Sequence, residues 1–162
     1  MNTLKVAVIL LVEDDLADQK LVKRSLSQAK IGNELHIVNS GEQALEYLQS
    51  SKNGDAQTPM PDLILLDLNM PGMGGQELLR HLKADDELDI IPVVILTTSD
   101  SDKDILESFK LQAAGYIKKP VTLEGFHEVM QVLSEYWFVI CKRVSHDNEH
   151  KNKSNQCLIS GR

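Results

Sequence analysis

Four short apolar runs punctuate this chain: Val6 to Val12, Leu63 to Leu66, Val93 to Leu96, and Tyr116 to Ile117. Each is aliphatic or β-branched on consecutive positions and bounded by turn or cap residues, the pattern of strands buried on both faces of a parallel sheet. Glu34 to Val38 alternates instead, with Leu35 and Ile37 on one face, and predicts a further strand. Between the strands the period changes to three and four. Asp15 to Lys30 predicts a helix with Leu16, Leu21, Val22 and Leu26 as its apolar positions, closing near Gly32. Ser40, backed by Glu42 and Gln43, reads as the N-cap of a second helix through Ala44, Leu45 and Leu48. Leu78, Leu79 and Leu82 mark a third from Gln76 to about Ala84. Ile105, Leu106 and Phe109 mark a fourth over Ser101 to Gln112. From Thr122 a long fifth helix carries Phe126, Val129, Met130, Leu133, Trp137 and Ile140. The polar stretch from Ser50 to Pro61 and the breaker cluster Pro71 to Gly75 predict loops.

Strand and helix alternate five times, which predicts an α/β fold, a doubly wound five-stranded parallel sheet with helices on both faces. In such a sheet the carboxyl ends of the strands open on one crevice. Residues far apart in sequence converge there: Glu13 and Asp14 after the first run, Asp67 after the second, Thr97 after the third and Lys119 after the last. Three carboxylates, one hydroxyl and one ammonium are thereby expected in one pocket.

The chain has 162 residues, enough for one domain to bury its apolar surface without staples. Two cysteines, Cys141 and Cys157, are late and make no disulfide framework. The first residues carry no Ala-x-Ala-like cleavage site, and no apolar stretch approaches the roughly 20 residues of a membrane span, so the expected location is cytoplasmic, with no membrane partner. A net charge of −7 argues against nucleic acid as a partner, since phosphate backbones are bound by clustered Lys and Arg. Beyond Cys141 the chain is rich in Lys, Asn, Ser, His and Asp, and residues 142–162 are expected to form a disordered polar tail. Residues 1–141 are left as the folded domain.

The chemistry follows from the residue types. Asp67 is a carboxylate at a strand end and can act as a nucleophile toward a phosphoryl donor, forming an acyl phosphate. That attack brings two anions together, so a divalent cation is expected. Glu13, Asp14, Asp67 and the backbone carbonyl of Asn69 supply the hard oxygen ligands that Mg²⁺ prefers. Lys119 can set a point charge against a phosphoryl oxygen, Thr97 can turn its hydroxyl to another, and a cis bond before Pro120 would aim the lysine inward.

The segments "LLVEDD" (10 to 15), "LILLDLNMPGMGG" (63 to 75), "VVILTTSD" (93 to 100) and "GYIKKP" (115 to 120) occur in this order, and together the chain resembles the receiver domain of two-component response regulators from Lys5 to Ile140. The resemblance implies the flavodoxin-like strand order 2-1-3-4-5, Asp67 as phosphoacceptor, the Glu13-Asp14 pair as Mg²⁺ ligands, Lys119 as the lysine of the site, Thr97 as switch hydroxyl and Tyr116 as switch aromatic. It also implies a sensor histidine kinase as phosphodonor. The loop at 50 to 61, the "LTTS" and the "EYW" near the end of the last helix look most like the stand-alone regulators of phytochrome kinases. Thr98 stands where many receivers have a smaller residue, and its methyl is expected to crowd the path of phosphoryl donor or attacking water.

Plainer readings exist for single residues. Glu13-Asp14 could cap the first helix, Thr97 could cap the fourth, Tyr116 could be a half-buried strand aromatic, and Lys118 is the twin of Lys119, separated from it by strand alternation. The five histidines lack ligand spacing. Val132, Tyr136 and Val139 form a second apolar stripe on the last helix, which predicts a docking surface for a downstream protein or a homodimer. Two other functions compete with a phosphoryl-accepting switch. A scaffold working without phosphorylation would not need the costly cluster of like charges. A phosphohydrolase would need an acid two residues after its nucleophile, where this chain has Asn69.

Overall fold

A computed structural model describes residues 7–28, 33–98 and 110–132 of the chain. The described elements are β1 (Ala7–Val12), α1 (Leu16–Gln28), β2 (Asn33–Val38), α2 (Gly41–Lys52), β3 (Leu63–Asp67), α3 (Gly75–Lys83), β4 (Val93–Thr97), β5 (Gly115–Lys118) and α4 (Leu123–Val132). The five strands are parallel in the order β2-β1-β3-β4-β5.

Each side of the sheet has its own core, because successive strand residues face opposite ways. On one side Leu10, Val12, Ile64, Leu66, Val93 and Ile95 pack with Ala44 and Leu48 of α2 and Leu78, Leu79 and Leu82 of α3. On the other, Ile9, Leu11, Leu63, Leu65, Val94, Leu96 and Ile117 pack with Val22 and Leu26 of α1 and Phe126 and Val129 of α4. Strands covered on both sides must be apolar at consecutive positions, which is why β1, β3 and β4 are continuous apolar runs. At the end of the sheet away from the crevice, the carboxylate of Asp62 accepts from Val8 N–H at 2.9 Å, while Asp62 N–H donates to Val8 O at 2.7 Å.

Two boundaries and one burial differ appreciably from the sequence reading. The second helix runs on to Lys52, three residues into the expected loop. There Ser51 Oγ donates to Tyr47 O at 2.9 Å within the helix, and Lys52 pairs with Asp85 at 2.6 Å, the tertiary support that the polar composition conceals. Leu16 does not join the core: at the first position of α1 it is 70% exposed. The helix expected through Gln112 does not include Lys110 to Gln112: Lys110 has a left-handed φ of 58°, and Leu111 is buried as the chain turns toward β5. The rest of that helix, from 101 to 109, lies outside the described residues. So do the tail and the stripe residues Tyr136 and Val139, while Val132 is described in its backbone alone.

Candidate functional site

The crevice is built by the ends of β1, β3, β4 and β5. Glu13 follows β1, and its backbone is held from two sides. Its N–H donates to Val38 O at 3.0 Å, extending the β1–β2 ladder, and its carbonyl accepts from Gln19 Nε2 at 2.7 Å. Gln19 also donates to Asn39 Oδ1 at 2.8 Å, tying α1 to the end of β2. The cap of α1 is Asp15, whose Oδ1 accepts from the N–H groups of Ala17 at 2.7 Å and Asp18 at 3.3 Å. Capping therefore does not account for Glu13 and Asp14. Glu13 is fully buried and Asp14 exposed at the rim.

Asp67 closes β3 and is 1% exposed. Its Oδ1 accepts from Asn69 N–H at 3.1 Å and faces Lys119 Nζ at 3.2 Å. The loop from 68 to 74 is anchored at both ends. Met70 is buried, Gly75 N–H donates to Leu68 O at 3.2 Å, and Met73 N–H donates to Glu42 Oε2 at 3.1 Å. Gly72 takes a left-handed φ of 74° in this turn.

Lys119 follows β5, where its N–H donates to Thr97 O at 2.7 Å, one step beyond the last β4–β5 register pair. The Lys119-Pro120 peptide bond is cis. Lys118 is exposed, whereas Lys119 reaches inward to three carboxylates: Glu13 at 2.7 Å, Asp18 at 3.0 Å and Asp67 at 3.2 Å. Burial opposes its charge, but the close contacts with the Glu13 and Asp18 carboxylates and the Asp67 charge outweigh it and raise the ammonium's pKa above its ordinary value. Glu13 goes the other way from an ordinary carboxyl. Burial, aided by the charge of Asp67 and opposed by Lys119, pushes it up to about 7.

Carboxylate oxygens of Glu13, Asp14 and Asp67 lie within 4.8 Å of one another. Glu13 Oε1 is buried and, among the described residues, accepts no hydrogen bond of good geometry; the 2.7 Å approach of Lys119 is an ion pair without hydrogen-bond direction. Three hard carboxylates against one ammonium, with a buried acceptor still open, fit a divalent cation.

The response regulator receiver domain profile matches residues 9–131. The chain belongs to the response regulator receiver family. It is 39% identical over 130 residues to response regulator Rcp1 of Synechocystis sp., spanning 80% of this chain and 88% of that protein. The structure of the Mn²⁺-bound form of Rcp1 has a TM-score of 0.65 over 81% of this chain and 94% of its own. Bacteriophytochrome response regulator RtBRR is 36% identical with a TM-score of 0.73, over 80% of this chain and 78% of its own. A phosphorylated cyanobacterial phytochrome response regulator, RcpA, is 36% identical with a TM-score of 0.67, over 82% and 95% of the two chains.

Within this receiver, Glu13, Asp67 and Lys119 are in mutual contact, with Asp14 beside them. Thr97 ends β4 next to Asp67, since Asp67 pairs with Leu96 in register, and it is 5% exposed. Tyr116 is half-buried and pairs with Ile95, which puts it on the same face as Thr97, one diagonal step away. Thr98 is exposed. The sequence reading missed Asp18: it is in the first turn of α1, and its 3.0 Å contact with Lys119 comes from the tertiary meeting of α1 with the end of β5, which no local pattern records. Among the described residues, no helix is long and apolar enough to cross a membrane.

Proposed function

We propose that this receiver is a cytoplasmic phosphorylation switch, residues 1–141 forming the receiver, that takes a phosphoryl group on Asp67 from the phosphohistidine of a sensor histidine kinase. The observation that carries the reading is the approach of Lys119 Nζ to Asp67 Oδ1 at 3.2 Å beside two further carboxylates within 4.8 Å. Oδ1 holds both the Asn69 N–H and the ammonium contact, so the other Asp67 oxygen attacks. An O–P bond forms, the P–N bond of the phosphohistidine breaks, and the imidazole leaves as the neutral base after protonation. Lys119 then turns its Asp67 contact onto a phosphoryl oxygen, holding charge that the phosphorylated Asp67 carboxyl no longer carries.

Glu13, Asp14, Asp67 and the carbonyl of Asn69 would hold Mg²⁺, which neutralises the carboxylates and draws charge from the phosphoryl oxygens. Similarity to a manganese-bound and to a phosphorylated regulator supports both ligands. Thr97 is the hydroxyl that follows the phosphoryl group, and Tyr116, on the same face, follows Thr97. Such a group shifts the conformational balance only by binding one state better, about 5.5 kcal/mol for a reversal from 1:99 to 99:1. The altered face passes the signal to a downstream protein or a second copy of the chain. The likeness to phytochrome regulators makes a phytochrome the kinase to test first.

Incubation with Mg²⁺ and acetyl phosphate followed by intact mass tests the reading. The parent should gain one phosphoryl group, and Asp67→Asn or a chelated sample none. Equal labelling of the Asn variant would remove Asp67 as acceptor.

A further inference from the structure

Lys119 has three N–H donors, and three carboxylates surround its nitrogen. Two of them, Glu13 and Asp67, belong to the cluster that fits a divalent cation; Asp18 does not. Asp18 is in the first turn of α1, its side chain 20% exposed, and lies 3.0 Å from the ammonium of Lys119, whose side chain is 11% exposed. Among the described residues it is also the one partner of Lys119 for which the cation would not compete. A cation on Glu13 and Asp67 shares their charge and repels a neighbouring ammonium, which leaves Asp18 as the anion that still holds the lysine.

We infer that Asp18 is a positioning residue, drawing the Lys119 ammonium off the Glu13 and Asp67 carboxylates so that a divalent cation and the lysine can occupy the pocket together. The inference rests on the functional reading above. Without Asp18, Lys119 has only Glu13 and Asp67 as close anions and competes with the cation for both. Asp18 also attracts the cation directly across the pocket, but that attraction does not depend on the lysine. The two contributions separate in a double-mutant cycle.

The experiment is calorimetric titration of the full chain with MgCl₂ alone, on the parent, Asp18→Asn, Lys119→Met and the double variant. Asp18→Asn should weaken Mg²⁺ binding by about 3- to 10-fold more when Lys119 is present than when it is Met, the size expected for coupled neighbours. Lys119→Met alone should tighten binding by removing the competitor. Circular dichroism checks each fold, and Asp18→Ser, compatible with a first helical turn, replaces the Asn variant if that one does not fold. An equal loss in both lysine backgrounds would reduce Asp18 to a distant charge and overturn the inference, while leaving the functional reading intact. A parent that bound no Mg²⁺ would overturn both.

Discussion

Gly75→Ala tests whether the first residue of α3 sets the position of Asp67, the proposed phosphoacceptor. A Cβ at Gly75 would lie 2.3 Å from the carbonyl oxygen of Asp67, 2.7 Å from the Cα of Leu68 and 3.0 Å from the carbonyl carbon of Asp67. Ordinary contact begins near 3.4 Å, so the oxygen contact is short by 3.4 − 2.3, about 1 Å. All three neighbours are backbone, and no rotamer change relieves the clash. Either the start of α3 or the end of β3 has to move. α3 is pinned by Leu78, Leu79 and Leu82, each at most 1% exposed, and β3 lies between β1 and β4, so the strain cannot leak into a loose element. Overpacking of this kind costs about 1–3 kcal/mol, and backbone against backbone belongs at the upper end. At roughly 2–4 °C per kcal/mol for a chain of this size, the melting temperature should fall by roughly 6–12 °C. Activity should fall further than stability, because Asp67 is held to its neighbours at 3.1 and 3.2 Å and a displacement of about 1 Å at a reacting group can lower rate by about 100-fold. The assays are a thermal melt and the rate of phosphorylation by acetyl phosphate at a temperature where both proteins are folded. A variant that melts with the parent and is labelled at the parent's rate would refute the reasoning.

Glu13→Gln should stabilise the metal-free protein increasingly as pH rises. The folded carboxyl titrates at about 7 against 4.5 for an ordinary one, so ionisation costs the folded state nothing below 4.5 and its full amount above 7. At about 1.4 kcal/mol per pH unit the gain is on the order of 3 kcal/mol, read as a melting-temperature difference in chelator that widens between pH 4.5 and 7; a difference constant with pH would refute it. Thr98→Ala should speed phosphorylation by acetyl phosphate or the decay of the phosphoprotein, with unchanged rates for both showing that Thr98 gates neither. Tyr47→Phe removes the 2.8 Å bond to Pro59 O that ties α2 to the loop before β3, and should lower unfolding free energy by about 1 kcal/mol in a denaturant titration with phosphorylation unchanged.

The strands and most helices were legible in the sequence because burial on both faces leaves a local mark. A run such as Leu63 to Leu66 has one reading as a strand, and the polar residue ending each run marks the crevice. The order of the runs was therefore enough to expect Asp67, the Glu13-Asp14 pair and Lys119 at one crevice, whereas preferring Lys119 to Lys118 rested also on the proline that follows it and on the resemblance. Elements held by partners distant in sequence were not legible. Lys52 extends α2 because Asp85 meets it, 33 residues away. Leu16, apolar and correctly spaced, is exposed because α1 has not yet reached the sheet at its first residue. Asp15 rather than Glu13-Asp14 caps α1, a choice among three adjacent acids that only backbone geometry makes. Asp18 joins the lysine because α1 and the end of β5 meet in space, and nothing between residues 18 and 119 records that meeting. Composition and period determine which side a residue faces; which charges share one ammonium is decided by the packing of helix against sheet.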